Sequence, residues 1–176
     1  MGRESGEFID TKEAKESGKI KDINGFSNNA YLLGKEQIYK FVGLDDGLAD
    51  GKDYLKKEDS QLEDSISLSI DGSVWALAEN GRIFKYTRGE ADFFAINGLD
   101  KPLDRAKIIY TDKDSDNIYI LDAGNTRVIS VDKENGDYKA SYVWPGIAGV
   151  SDIAVSEELG KIFLLAGQKV YEMGIR

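Results

Sequence analysis

Short runs of alternating apolar and polar residues recur along the whole chain. Four apolar cores carry an aromatic residue at the same place, and these aromatics are 44 residues apart: Tyr31, Trp75, Tyr119 and Phe163. A Gly-rich or polar turn and a second alternating run follow each core. Alternation with a period of two is typical of β-strands, so each pair of runs predicts a β-hairpin.

Further strands are predicted on both sides of each hairpin. An inner strand precedes the core at 66–70, 107–110 and 152–155, with a weaker version at 20–23. Outer strands follow the hairpin at 92–96 and 138–142. Four antiparallel strands in 44 residues match the size of a propeller blade. We therefore predict an all-β protein, a β-propeller with four visible blades of four strands each.

The repeat divides the chain into blades of about 17–60, 61–104, 105–148 and 149–176. The last repeat ends after its third strand, so residues 1–16 are predicted to be either the closing strand, through residues 7–10, or an N-terminal tail. Residues 44–64 form a charged insertion, predicted to be a solvated loop. Three arrangements stay open: a closed four-bladed ring, a piece of a longer propeller, or half of a homodimer.

Composition narrows the chemistry that the chain can perform. The 32 acidic and 23 basic residues give a net charge of -9, which disfavours nucleic acid and anionic membrane surfaces as partners. The absence of histidine and cysteine excludes imidazole bases, thiolate nucleophiles and thiolate zinc sites. No apolar stretch is long enough to span a bilayer and the start lacks a secretory signal, so we expect a soluble chain without membrane contact of its own.

The third repeat carries the clearest motif. Its sequence NIYILDAGNTRVISVDKENGDY resembles the NHL repeat, a family of propeller blades, and the matching positions are Asp122, Gly124, Asn125, Arg127, Val128, Asp132 and Gly136. The second repeat keeps only residues 80–83 of this pattern, and the first and fourth keep the apolar frame. NHL-type propellers usually have six blades, so a chain with four departs from that family.

A broader resemblance covers residues 65–176. This region is similar to the C-terminal propeller of bacterial membrane-anchored proteins, some of which carry a metal-dependent serine/threonine phosphatase domain. The resemblance implies a sensor domain outside the cytoplasm that reports to an enzyme inside. The sequence itself contains no phosphatase residues.

One face of the predicted propeller gathers the candidate ligand-binding residues, because the loops between second and third strands and the crossovers between blades meet there. These residues are Trp144, Asp122, Asn125, Arg127, Lys101 and Arg105. Trp144, next to Pro145, offers flat apolar area with a polar edge. The alternative is structural: Trp144 closes the gap between two blades, and Asp122 pairs with Arg127 to hold a turn.

The opposite face carries a candidate metal site in a hairpin turn. Asp112, Asp114 and Asp116 alternate there, and their oxygens are the kind of ligand that Ca²⁺ prefers. The pattern departs from a helix-loop-helix calcium loop at Asn117, where glycine is expected, and at Ala123, where glutamate is expected. A solvated acidic turn is the alternative, and no other cofactor is predicted.

These observations predict a non-catalytic binding module, a sensor or scaffold for a protein, glycan or small molecule. No nucleophile-base pair or phosphate loop is present, and carboxylate neighbours such as Glu157 and Glu158 are predicted to be exposed. The alternative is a calcium-dependent lactonase or esterase-like propeller enzyme, which needs carboxylates facing the axis. The clear inner strands supply one acid at most, Asp152.

Overall fold

The computed structural model describes residues 19–45 and 47–175. The tail or closing strand predicted for residues 1–16 lies outside this part of the chain. In the described part, none of the helices has the length and apolar character that a membrane crossing needs.

The strands form four antiparallel sheets arranged around a common axis, one sheet to a blade. Blade 1 contains β1 (Asp22–Phe26), β2 (Asn29–Leu33), β3 (Ile38–Leu44), β4 (Gly47–Leu48) and β5 (Lys52–Asp53). Blade 2 contains β6 (Ser65–Ile70), β7 (Val74–Ala78), β8 (Ile83–Thr87) and β9 (Glu90–Asp92).

Blades 3 and 4 repeat this order. Blade 3 contains β10 (Ala106–Tyr110), β11 (Asn117–Asp122), β12 (Arg127–Asp132) and β13 (Tyr138–Val143). Blade 4 contains β14 (Val150–Ser156), β15 (Lys161–Ala166) and β16 (Lys169–Gly174). Short 3-10 helices at Ser60–Asp64 and Pro145–Gly149 lead into blades 2 and 4. The predicted all-β propeller with four blades is confirmed.

Side-chain alternation gives each blade two apolar faces, because successive residues of a strand point to opposite sides. In β7, Trp75 and Leu77 pack toward blade 3, whereas Val74 and Ala76 pack toward blade 1. We call the side toward the following blade the forward face and the other side the rear face. The two-residue period therefore lets one strand contribute to two cores.

Among the residues that the structure describes, three hydrophobic cores join consecutive blades. One lies between blades 1 and 2, one between blades 2 and 3, and one between blades 3 and 4. The repeat aromatics Tyr31, Trp75 and Tyr119 each belong to the core in front of their own blade. Packing between blades is therefore what places the loops of neighbouring blades side by side.

Three local predictions were inaccurate. The insertion at 44–64 is not simply solvated, because Leu55 and Leu62 are buried in the core between blades 1 and 2. The outer strand of blade 2 ends at Asp92, and Phe94 then leaves the sheet to pack in the core between blades 2 and 3. The first inner strand begins at Asp22, two residues later than the pattern indicated.

Candidate functional site

The turn between β11 and β12 holds three of the predicted ligand-binding residues. The Asp122 side chain is fully buried, and its Oδ1 accepts a 2.8 Å hydrogen bond from the backbone N–H of Asp104. Its Oδ2 accepts 2.8 Å and 2.7 Å bonds from Asn125 Nδ2 and Arg127 Nε. The Asp122 carboxylate thus connects its own turn to the crossover that arrives from blade 2.

Arg127 completes this connection. Its side chain is 4% exposed, and its guanidinium donates to Asp100 Oδ1 at 2.6 Å and to the Lys101 carbonyl at 2.9 Å. Burial opposes the charge on Arg127, but hydrogen bonds to Asp100 and Asp122 outweigh it and raise the arginine pKa. The same bond from Arg127 lowers the pKa of Asp100. The polar atoms of this turn are therefore directed at the protein.

Two glycines of the NHL-like motif have a steric role. A Cβ atom at Gly124 would overlap Asp104, which lies against the turn. Gly136 has a positive φ of 78°, and a Cβ there would overlap the Ala95 carbonyl oxygen. These motif positions require glycine because the crossover backbone approaches closely.

The other predicted ligand residues lie around this turn. Trp144 is half-buried at the start of the second 3-10 helix, and its ring lies 4.5 Å from that of Tyr171. Its backbone N–H donates to the Thr126 carbonyl at 3.3 Å. Lys101 and Arg105 are exposed. Trp144 therefore packs between blades 3 and 4, and Lys101 and Arg105 project from the crossover.

The predicted metal turn directs its first carboxylate inward. Asp112 Oδ1 accepts from the backbone N–H of Asp114 at 3.0 Å and from Ser115 Oγ at 2.7 Å, and Oδ2 accepts from the Tyr110 hydroxyl at 3.0 Å. Partial burial opposes ionisation of Asp112, but these bonds outweigh it and lower its pKa. Burial and the nearby carboxylate raise the pKa of Tyr110 to about 12. Protein donors thus already engage both oxygens of Asp112.

The second and third carboxylates do not join the first. Asp114 is exposed and pairs with Lys113 at 2.9 Å, and Asp116 is exposed as well. Within residues 19–45 and 47–175, no group of three or more acidic side chains is arranged to hold a metal ion. The calcium site at Asp112, Asp114 and Asp116 stays a prediction.

Glu157 is not the exposed neighbour of Glu158 that its sequence context predicts. Its carboxylate accepts hydrogen bonds from the backbone N–H of Asp116 at 2.7 Å, from Asn117 Nδ2 at 2.8 Å and from the Tyr119 hydroxyl at 2.8 Å. Burial opposes ionisation, but these bonds outweigh it and lower the Glu157 pKa. Glu157 therefore fastens blade 4 to blade 3.

An open groove that the sequence did not indicate lies along the outer part of blade 2. It has a volume of about 610 Å³, and its walls include Arg82, Phe84, Phe93 and Leu103. Phe93 is 89% exposed, the largest exposure among the described large hydrophobic residues. Its neighbour Phe94 packs edge-on against Trp75, with ring centroids 4.9 Å apart. Because consecutive residues of an extended chain point to opposite sides, Phe93 faces outward.

The groove combines an aromatic floor with a cation. The Arg82 guanidinium lies 4.9 Å from the ring centroid of Phe84 and also donates to Gln61 Oε1 at the surface. On the loop face, a second cleft of about 780 Å³ is lined by mixed charges that include Glu79 and Arg105. Asn80 and Leu103 line both depressions, so the groove and the cleft adjoin.

An axial cavity of about 530 Å³ lies between the inner strands of all four blades. Asp22 and Asp152 both line it, together with Ser67 and Lys107. The three clear inner strands supply Asp152, and the first inner strand, whose pattern is weak, adds Asp22. Burial raises the pKa of Asp22, although hydrogen bonds such as the 2.7 Å bond from the Leu68 N–H oppose this shift.

No protein-family model and no curated protein matches this sequence. Among solved structures, the computationally designed Ika4 protein is similar over 98% of this chain and 100% of its own, with a TM-score of 0.61 and 15% identity. Glutaminyl cyclase from Myxococcus xanthus is similar over 90% of this chain and 75% of its own, with a TM-score of 0.59 and 14% identity.

A chain of the nidogen–laminin complex is also similar, with a TM-score of 0.64 and 11% identity. The similarity covers 83% of this chain and 57% of that one. At these identities the likeness shows the fold alone, and the fold is that of a β-propeller. A designed protein, an enzyme and a chain of a protein complex share it, so function has to be argued from the surface.

Proposed function

We propose that this protein is a non-catalytic binding module, a sensor or scaffold, whose groove on blade 2 receives a short segment of a protein partner. The observation that carries this proposal is Phe93, a phenylalanine 89% exposed at the edge of an aromatic-floored groove. Large apolar side chains beside a concave surface are typical of binding sites, because a partner can remove them from water.

The groove also suggests the chemistry of the partner segment. Phe84, Phe93 and Leu103 offer contact to an aromatic or aliphatic side chain. Arg82 is exposed at the same wall and offers charge-assisted hydrogen bonds to a carboxylate. We therefore expect a segment that combines a large apolar residue with a nearby acidic residue.

A role in a longer protein is part of the proposal. The resemblance of residues 65–176 to the propeller of bacterial membrane-anchored proteins, some of which carry a phosphatase domain, supports a sensor propeller in such a parent. The hydrogen bond from Arg127 to Asp122 supports the resemblance to the NHL repeat, because these two motif residues hold the turn of the blade together.

Selection of peptides from a random displayed library against the immobilised protein tests the binding site. We expect enriched peptides with an apolar and an acidic residue, and we expect Phe93→Ser and Arg82→Glu each to weaken their binding at least about tenfold, or about 1.4 kcal/mol. Leu159→Ser is the matched control, because Leu159 is 65% exposed in a turn of blade 4. Enriched peptides that bind all variants equally, or no enrichment, would contradict the proposal.

The axial cavity supports a second candidate, the calcium-dependent hydrolase. Asp22 and Asp152 both line the cavity, as such an enzyme requires. The set fits a calcium ion poorly, since Ca²⁺ takes six to eight oxygen ligands. The cavity offers two carboxylates. Both oxygens of Asp22 already accept backbone hydrogen bonds, and Lys107 adds a positive charge.

Lactone and ester hydrolysis with added calcium tests this candidate. Activity that a chelator abolishes and that Asp152→Asn removes would establish an enzyme and displace the binding module as the main function. We expect the hydrolysis rate to equal the background rate of the buffer with and without calcium. Lys107→Met is a useful companion variant, because it removes the cation from the cavity.

A further inference from the structure

One position of the repeat is exposed differently in blade 4. Leu33, Leu77 and Leu121 stand two residues after the repeat aromatic on the forward face, and each is 0% exposed. Leu165 holds the same position in blade 4 and is 39% exposed. A leucine that the repeat buries three times is thus left half-covered in the fourth blade.

The neighbouring strand of blade 4 shows the same difference. Ile38 in blade 1 and Val128 in blade 3 pair across the hairpin with that leucine, and both are 0% exposed. Val170 is their counterpart in blade 4 and is 69% exposed. The forward face of blade 4 therefore carries the side chains of a blade interface without the interface.

The rear face of blade 1 is the complementary case. Ala76, Ile120 and Leu164 follow the repeat aromatic on rear faces and are 0% exposed, whereas Leu32 at that position is partly exposed. Ile23, opposite Leu32 on the neighbouring strand, is 64% exposed. Among the described residues, no cluster of buried side chains joins blade 4 to blade 1.

The geometry of the three formed cores indicates what covers these faces. Each core packs a forward face onto a rear face. Among the described residues, the forward face of blade 4 has no such partner, and neither has the part of the rear face of blade 1 around Ile23 and Leu32, although Tyr39 and Phe41 on that face are buried. A second copy presents both missing partners at once.

We propose that two copies of this chain associate head to tail, with blade 4 of each copy packed on blade 1 of the other. A two-fold axis makes the two contacts equivalent and closes the assembly at eight blades. Each contact repeats the forward-to-rear packing already present three times within the chain.

The solution mass by light scattering is the first test. We expect a single species of twice the 19.5 kDa chain mass that dissociates on dilution. A monomer at all concentrations would overturn the proposal, and so would a ladder of higher oligomers, because it would mean that two copies do not close the assembly.

Single substitutions then identify the faces. Val170→Glu and Ile23→Glu each place a charge at an exposed strand position, and we expect each variant alone to be monomeric with an unchanged far-UV spectrum. Leu159→Glu is the control, because Leu159 is 65% exposed in a turn away from both faces, and this variant stays dimeric. A dimer that persists in either strand variant overturns the proposal.

Mixing the two variants tests the head-to-tail arrangement. Blade 4 of Ile23→Glu and blade 1 of Val170→Glu are both unaltered, so the mixture retains one intact contact. We expect mixing to restore part of the dimer, which neither variant forms alone. Dimers built from two blade 4 faces would instead persist in Ile23→Glu and would not be restored by mixing, and that result would overturn the arrangement.

Discussion

Blades 2 and 3 carry an arginine at the same place and use it in opposite ways. Leu77 and Leu121 stand at the same position of the repeat, and each pairs with a residue on the next strand. Arg82 and Arg127 come directly before those paired residues. Arg127 is buried, with bonds to two carboxylates and a carbonyl. Arg82 is exposed, over a phenylalanine ring and beside an open groove.

The residue at the head of the turn explains the difference. Blade 3 has Asp122 there, whereas blade 2 has Ala78, which has no acceptor side chain. Asp122 draws Arg127 inward and holds the crossover, but Arg82 has no such partner at that position. The turn of blade 3 therefore holds the crossover through Asp122 and Arg127, whereas in blade 2 the arginine is exposed beside the groove.

The largest expected change in stability comes from removing Arg127, with the removal of Arg82 as the comparison. Arg127→Met leaves Asp122 buried without its ion-pair partner, so we expect a loss of about 3 to 5 kcal/mol in the free energy of unfolding. Arg82→Met changes an exposed site, and we expect less than about 0.5 kcal/mol. Urea unfolding measures both, and equal losses in the two variants would remove the distinction between the turns.

Two consecutive phenylalanines sharpen the comparison at the groove. Phe94 is partly buried, on Trp75 and against the core between blades 2 and 3, so Phe94→Ala is expected to cost about 2 kcal/mol. Phe93 is 89% exposed, so Phe93→Ala is expected to change stability by less than about 0.5 kcal/mol. A large loss of stability in Phe93→Ala would mean that this side chain is structural and not available to a partner.

An effect smaller than that of Arg127→Met is expected at Glu157, whose hydrogen bonds join blade 4 to blade 3. Glu157→Gln removes the charge from a carboxylate that accepts four hydrogen bonds, and we expect a loss of about 2 kcal/mol at pH 7. Glu158→Gln is the adjacent control and is expected to change stability by less than about 0.5 kcal/mol.

The hydrogen bonds of Glu157 also predict that stability depends on pH. Folding lowers the pKa of Glu157 below its ordinary value of 4.5, so its contribution is present well above that pH and is lost as the pH falls through the lowered value. The difference in unfolding free energy between wild type and Glu157→Gln should therefore shrink in acid. A difference that stays constant from pH 7 to pH 3 would show that the Glu157 charge does not stabilise the contact between blades 3 and 4.

Much of the fold could be predicted because its signal is local. The apolar cores around Trp75 and Tyr119 alternate with a period of two and recur after 44 residues, and the predicted hairpins formed there. The insertion was harder, since the burial of Leu55 and Leu62 depends on a neighbouring blade. The candidate site was missed for the same reason: nothing near Phe93 in the sequence distinguishes it from the partly buried Phe94.

By itself, the sequence determined the strand pattern, the repeat length and the propeller class, because these follow from alternation and spacing along the chain. Only the tertiary structure decided which charged and aromatic residues are available to a partner. The sequence does not show that Asp122 and Arg127 form hydrogen bonds with the crossover from blade 2, since that crossover lies 18 to 26 residues away along the chain. Exposure depends on contacts between residues distant in sequence, and local pattern does not encode those contacts.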